Sequence, residues 1–340
     1  PVAAFKALTV NPVAPVTPGT ITGAATVCAS VTGLTYTINP VLNATIYNWV
    51  VPAGWTITSG QGTTSITVTA GNASGNISVN AGNFCGTSGN RNLAIVVNAT
   101  GTWLGISNNN WNDGLNWCGA VPGAATNVII PAGTPNNPVI SSLAMANNIS
   151  VAAGATLTIN NATLQTGGTI TSNANIIAMD GTLELNGTSI QSIGANTFQG
   201  NALGHLVINN NTGVILNGIL DIYGSLTYGN NGVDLKTNNL LTLKSTLANT
   251  AWIGNMTGKT IEGDVTVERY IPNHSKAWQF LSVPVTGLQT IHEAWQDTAN
   301  FANQNRFPGF GTMLTSNLPG ALALGFDVYT APGPSIKVYN

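Results

Sequence analysis

Short apolar-alternating segments return along the middle of the chain in nearly the same wording: T-L-T-I-N-N from 156, T-L-E-L-N-G from 182, L-V-I-N-N-N from 206, V-I-L-N-G from 214 and L-T-L-K-S from 241. Further runs at 128–130, 149–151, 163–165, 176–177, 219–222 and 226–228 fill the gaps, many of them spaced by about six to nine residues. Three runs make a unit of about 20 residues, the period of a solenoid. Thr, Val, Ile and Leu suit a pleated, half-buried surface, while Asn and Gly at the corners tolerate the left-handed conformations that bends need. The pattern predicts a right-handed parallel β-helix in which Leu, Ile and Val stack inward between turns and Asn or Thr align in hydrogen-bonded ladders.

A second feature agrees with this. Between Arg91 and Lys236 the chain runs 144 residues without a Lys or an Arg, and the only charges there are Asp113, Asp180, Glu184, Asp221 and Asp234. Charged residues make up 6% of the chain, against about a quarter in an ordinary globular protein. Equivalent positions on successive turns stack about 4.8 Å apart, so a repeated charge would repel itself. The 43% hydrophobic content is ample for cores, which argues against disorder. A net charge of −2 offers no footprint for nucleic acid or an anionic membrane surface. No stretch reaches the roughly 18 apolar residues of a membrane span, and Pro1-Val2-Ala3 has none of the regions of a signal peptide. Low charge with abundant Asn, Thr and Ser predicts an extracellular protein on composition.

Four segments follow. Residues 1–16 hold one strand, 4–10, running into a Pro-rich linker. The phrase from Lys6 to Pro12 echoes Asn92 to Asn98, so the strand either closes a preceding domain of the same kind or completes a neighbouring molecule's sheet by strand addition. Residues 17–99 carry seven strand-like runs, at 20–21, 34–38, 46–51, 55–58, 65–69, 76–80 and 93–97, a density that predicts a small immunoglobulin-like sandwich. Cys28, Trp49 and Cys85 follow one another in the order of a core tryptophan packed near a disulfide, so Cys28 is expected to pair with Cys85 and Trp49 to lie in the core. Residues 100–265 are a Trp-rich cap and the β-helix. Residues 266–340 form a small β-rich module in which Thr290 and Glu293 make a capping box for one short helix at 291–302. The fold class is all-β.

Pro18-Gly-Thr-Ile-Thr-Gly, Val27-Cys28, Tyr36, Tyr47-Asn-Trp49, Pro52-Ala-Gly-Trp55, Ser59-Gly-Gln-Gly and Asn83-Phe-Cys85-Gly resemble the PKD-like, immunoglobulin-type modules repeated in large secreted proteins of Bacteroidota. That resemblance implies a spacer on a cell-surface or secreted protein. Asn116 to Pro122, Val128 to Gly133 and Gly154 to Ile159 are similar to the solenoid entry of Bacteroidota surface proteins. In those relatives a second Cys often lies where this chain has Ala146-Asn-Asn, which leaves Cys118 without an obvious partner. Val265 to Ile271, Trp278 to Val285, Phe310-Gly-Thr and Ser335 to Tyr339 look like the β-rich module that follows solenoids in proteins exported by the type IX secretion system. The chain stops at Asn340 inside an expected strand, so the true C-terminus is expected to lie elsewhere.

Candidate chemistry is thin. His205, His274 and His292 are scattered and the cysteines few, so no metal or other cofactor is expected. Asn108 to Gly114 is an oxygen-rich loop without the alternating acids of a calcium loop, and reads as part of a cap. Trp103, Trp111 and Trp117 suit either aromatic plugging of the solenoid end or a platform for stacking a glycan. Asp180 and Glu184 are the one close acidic pair before residue 260, with no Lys or Arg before Lys236 to complete a polysaccharide lyase site. No catalytic residue is expected. Thr298, within Asp297-Thr298-Ala299, matches the short O-glycan acceptor motif of Bacteroidota. The function read from all this is a non-enzymatic extracellular structural or adhesive protein, a section of a surface stalk or filament. Its expected partners are neighbouring modules or copies of itself, with surface glycans as a further candidate. The alternatives are a glycan-binding module and, third, a carbohydrate-active β-helix enzyme.

Overall fold

The structure, a computed structural model, describes residues 13–270 and the backbone of two short paired strands, Thr315–Ser316 and Asp327–Val328. The expected strand at 4–10, the expected helix at 291–302 and Thr298 lie outside the described residues. Apart from one 3-10 turn, Gly114–Asn116, the secondary structure described is all β.

Eight strands build the first body: β1 (Thr26–Cys28), β2 (Leu34–Thr37), β3 (Ile46–Val50), β4 (Thr56–Ser59), β5 (Ser65–Thr69), β6 (Gly75–Asn83), β7 (Gly86–Thr87) and β8 (Arg91–Asn98). They form two sheets, β1-β8-β6-β3 with β7 on β6, and β2-β5-β4. Period-two alternation turns Tyr36, Trp49, Ile66, Val68, Ile77, Val79 and Ile95 into one core between the sheets. Trp49 lies in that core as expected, and its indole Nε1 donates to Thr63 O at 2.8 Å, so its polar edge is satisfied while buried.

Two details depart from the sequence reading. The run at 20–21 is not a strand: only Thr22 bridges to Thr37, and the chain then passes Gly23, where a Cβ would collide with the Tyr36 ring. It pairs next, through β1, in parallel with β8 of the opposite sheet. The Pro-rich stretch is also less of a free linker than its composition implies. Pro15 and Pro18 are buried, Asn83 Nδ2 donates to Val13 O at 2.8 Å, and Arg91 Nε donates to Pro18 O at 3.0 Å. The carbonyls of Val13 and Pro18 thus tie the segment as a strap to residues of β6 and β8.

The second body winds in about seven turns. The first is β9 (Val128–Ile130), β10 (Val139–Ile140) and β11 (Ala144–Ala146), and the second is β12 (Ile149–Val151), β13 (Leu157–Ile159) and β14 (Thr163–Thr166). Then come β15 (Ile170–Thr171) with the long β16 (Ile176–Leu185), β17 (Gln191–Gly194) with β18 (Phe198–Ile208), and β19 (Val214–Asn217) with β20 (Leu220–Tyr228). The last are β21 (Asp234–Lys236), β22 (Leu241–Leu243) and β23 (Trp252–Ile253), followed by β24 (Thr260–Glu262) and β25 (Val265–Val267). Every pairing among these strands is parallel, which makes three faces around one core. The register explains the recurring wording of the sequence. Ala144, Leu164, Leu183, Leu206, Leu226 and Ile253 follow one another from turn to turn as a single inward column.

Strands β16, β18 and β20 run on from the second face to the third without a loop, and the corner is made by Gly181, Gly204 and Gly224. A Cβ on Gly204 would lie 2.5 Å from Met179 O and 2.7 Å from Gly181 O. The backbones there stack too closely for any side chain, which is why the runs at 176–177 and 182–185 merge into one strand. At the far end the expected boundary between 265 and 266 falls inside β25, whose pairing with β22 places Val265–Val267 in the last turn.

Candidate functional site

Where β8 leaves the sandwich, the chain crosses to the solenoid in only a few residues. Strand β1 sits alongside, with Cys28 opposite Asn98, and Ala29 N donates to Asn98 O at 2.9 Å. On the other side Gly101 N donates to Cys118 O at 2.9 Å and Cys118 N to Thr102 O at 2.8 Å. The crossing segment is therefore held from both bodies at once. A covalent bond completes the joint, between Cys28 and Cys118, whose Cα atoms are 5.3 Å apart.

This overturns the expected pairing of Cys28 with Cys85. Strand β6 runs antiparallel to β8 and pairs Gly75 with Ile95, so its start lies near Cys28 and its end at Asn83 leads into Cys85. Nine strand residues at about 3.4 Å each separate the two positions, far beyond disulfide reach. Cys85 is a free, exposed thiol in the β6–β7 turn. Cys118, which the sequence left without a partner, has one in the preceding body.

Beyond Cys118 lies the cap. The segment from Thr102 to Trp117 lies on the first solenoid turn as an incomplete extra one: Trp103 N donates to Ile129 O at 2.8 Å, Ile129 N to Gly101 O at 3.0 Å, Val139 N to Asn109 O at 2.7 Å and Trp111 N to Val139 O at 3.1 Å. Open strand edges of the first turn thereby gain partners. Trp103, Trp111 and Trp117 cover the end of the core, 0%, 0% and 3% exposed, with Trp117 edge-on to both others at centroid distances of 4.9 and 4.7 Å. Trp103 Nε1 donates to Asn136 O and Trp117 Nε1 to Trp111 O, both at 2.7 Å, while Trp111 Nε1 has no acceptor. Of the two uses the sequence allowed, the plug is the one built. Rings this buried present no face on which a sugar could stack.

The oxygen-rich loop from Asn108 to Gly114 is closed on itself. The Asp113 carboxylate accepts from Leu115 N at 3.0 Å, Ser107 Oγ at 2.9 Å and Asn108 Nδ2 at 2.7 Å, bonds that hold it below the usual carboxylate range. Asn116, fully buried, accepts through Oδ1 from Ser107 N and Asn108 N and donates through Nδ2 to Asn110 O. Of the acidic pair, Glu184 is similarly engaged. Glu184 accepts from Gln165 Nε2 and Asn209 Nδ2, both at 2.8 Å, through its two oxygens, and so belongs to an amide ladder across three turns. Asp180 is exposed at the glycine corner.

Polar side chains inside the solenoid follow the same logic. Gln191, 5% exposed, donates from Nε2 to Thr166 O at 3.0 Å and Gly168 O at 2.9 Å, and accepts through Oε1 from Gly187 N at 2.7 Å and Asn210 Nδ2 at 2.9 Å. Among the described solenoid residues lysines enter only in the last turns, and there Lys236 and Lys244 pair with acids. Lys236 and Glu262 are register partners on adjacent turns with Nζ 3.0 Å from Oε1, and Lys244 pairs with Glu268 one turn on, a contact that raises the Lys244 pKa. An open depression of ≈ 180 Å³ lies over that region, lined by Thr212, Asp234, Lys236, Thr260 and Glu262 among others. Its lysine and glutamate neutralise each other.

Residues 14–95 form a PKD-like domain, by match to that family's model. Residues 102–212 match the model of a domain of unknown function, DUF8693, which takes in the cap and the earlier turns of the solenoid. Neither the curated proteins nor the solved structures contain a match. The crossing segment falls between the two matches, and the disulfide takes one cysteine from each. Trp49 and the β-run pattern made the PKD-like domain legible in the sequence. The joint was not, because its two halves belong to different modules and no local spacing connects them.

Proposed function

We propose that the chain is a non-enzymatic structural or adhesive module of an extracellular protein, a section of a long bacterial surface stalk or filament in which β-bodies act as spacers. The observation that carries this reading is the uninterrupted inward column from Ala144 to Ile253, fixed at its start to a PKD-like domain by the cap and a disulfide. At about 4.8 Å per turn, the solenoid sets a distance by its number of turns. PKD-like domains are typical of extracellular proteins, and a disulfide between domains suits an oxidising compartment. Among the described residues no helix is long and apolar enough to cross a membrane.

The resemblances to Bacteroidota surface proteins and type IX cargo point to the cell surface of such a bacterium. The partners in this reading are adjacent modules or copies of the chain, with surface glycans as a target for adhesion. Against catalysis stands the engagement of Glu184 by two amides, which leaves the Asp180–Glu184 pair without a free carboxylate on its glutamate side. Cys85 gives a direct test of location. On intact producing cells a membrane-impermeant maleimide should label this exposed thiol without lysis. Labelling that appears only after lysis contradicts the extracellular reading.

A further inference from the structure

We propose that the Cys28–Cys118 disulfide is a mechanical bypass, which carries tension past the PKD-like domain and the tryptophan cap and so protects both from unfolding when the chain is pulled along its length. The inference rests on the spacer reading only for the assumption that such pulling occurs in use. The load path itself follows from covalent topology.

A force entering ahead of the sandwich travels through residues 13–27 to Cys28. There the backbone has two continuations. One passes through β2 to β8, the crossing segment and the cap before reaching Cys118, and the other is the disulfide itself, spanning 5.3 Å between Cα atoms against a sequence separation of 90. Extension of the longer branch is forbidden while the shorter one is intact, so everything between the cysteines is a slack loop under load. That loop contains the whole of sheet β2-β5-β4, strands β3, β6, β7 and β8, and Trp103, Trp111 and Trp117.

The placement of the two cysteines fits this role. Cys28 ends the first strand of the sandwich, so among the described residues the Pro-rich strap, the Thr22 bridge and β1 precede it, and Cys118 directly follows the last plug residue, Trp117. After Cys118 the chain enters the solenoid, where each turn is stitched to the next by parallel pairing. A Cys28–Cys85 bond would have left β8, the crossing segment and the cap in the load path. The bond present removes these as well. Its junction is reinforced by the hydrogen bonds of Ala29 to Asn98 and of Cys118 to Thr102, which hold the bridge against the crossing segment.

Single-molecule pulling on the whole chain, with handles at Pro1 and Asn340, tests this. Under oxidising conditions, the total contour length released should fall short of the fully extended chain by about 300 Å, from roughly 3.4 Å per residue over the closed loop. Reducing the folded protein with a dithiol in the same instrument should restore that length and add unfolding events for the sandwich. Cys28→Ala with Cys118→Ala should do the same, and Cys85→Ser should leave the oxidised trace unchanged. The reduction experiment stands even if the double variant does not fold. Equal contour lengths before and after reduction would overturn the proposal, and so would a shortfall of only about 190 Å, the signature of a bond from Cys28 to Cys85. None of these outcomes bears on where the protein resides, which the maleimide experiment reads separately.

Discussion

Cys28 of the PKD-like domain and Cys118 behind the tryptophan cap are bonded across 90 positions of sequence, and the bond makes one unit of two modules that each match a family of their own. A closed loop of this length is expected to stabilise the fold by about 4 kcal/mol through the unfolded chain. Cys118→Ala should therefore lower unfolding free energy by roughly 2–5 kcal/mol in denaturant titration. Cys85→Ala, at an exposed free thiol, should change it by less than about 0.5 kcal/mol.

Stacking disfavours repeated or unpaired charge in the solenoid, and Gln191→Glu tests this at a buried position. The amide donates to two backbone carbonyls, Thr166 O and Gly168 O, which a carboxylate would face with its own lone pairs. We expect a loss of several kcal/mol at pH 7, about 1–3 for each polar group left unpaired. Part of this should return at pH 4, where the new carboxyl takes up a proton and regains one donor. Equal stability of variant and parent at pH 7 would count against the ladder argument.

Where charges do stack, they alternate. Lys236→Glu would set two carboxylates opposite each other at the Lys236–Glu262 position and should cost under about 1 kcal/mol, since both side chains are substantially exposed. The cost should shrink at high salt. Adding Glu262→Lys should restore stability by reversing the pair, and a double variant no better than the single would refute the pairing.

At the continuous corner, Gly204→Ala places a methyl against Met179 O and Gly181 O. We expect a destabilisation of about 1–3 kcal/mol from forced backbone separation. Gly133→Ala makes a useful contrast: nothing lies within 4 Å of its Cβ, so its cost comes from the left-handed backbone at φ +76 alone.

The cap loop should respond to acid. Asp113 has its pKa lowered in the folded state, first by the Leu115 N–H and then by Ser107, so its contribution is present above the ordinary carboxylate pKa and is lost as pH falls through the lowered folded value. Hydrogen exchange at the Leu115 amide should be unchanged through neutral pH once corrected for intrinsic rate, and lose protection in that acid range. Asp113→Asn should remove this pH dependence.

Much of the solenoid was legible because its physics is local and repeats. Leu164, Leu183, Leu206 and Leu226 recur at the period that stacks them, and the lack of Lys and Arg follows from that stacking. The tryptophan plug was half legible, since composition placed three rings near an end and only burial could decide between a plug and a platform. The disulfide was misread for a non-local reason. The order Cys28, Trp49, Cys85 imitates a sandwich disulfide, but pairing depends on which end of the sheet each cysteine occupies. That was set by β1 pairing in parallel with β8, a strand the sequence did not announce.

The joint is the centre of this account, and disulfide mapping addresses it most directly. The protein is alkylated without reduction, digested, and its cross-linked peptides are identified by mass spectrometry before and after reduction. We expect one cross-linked species joining the peptides of Cys28 and Cys118, with Cys85 alkylated at the outset. A cross-link from Cys28 to Cys85, with Cys118 alkylated instead, would contradict the covalent joint and return the two bodies to independent modules.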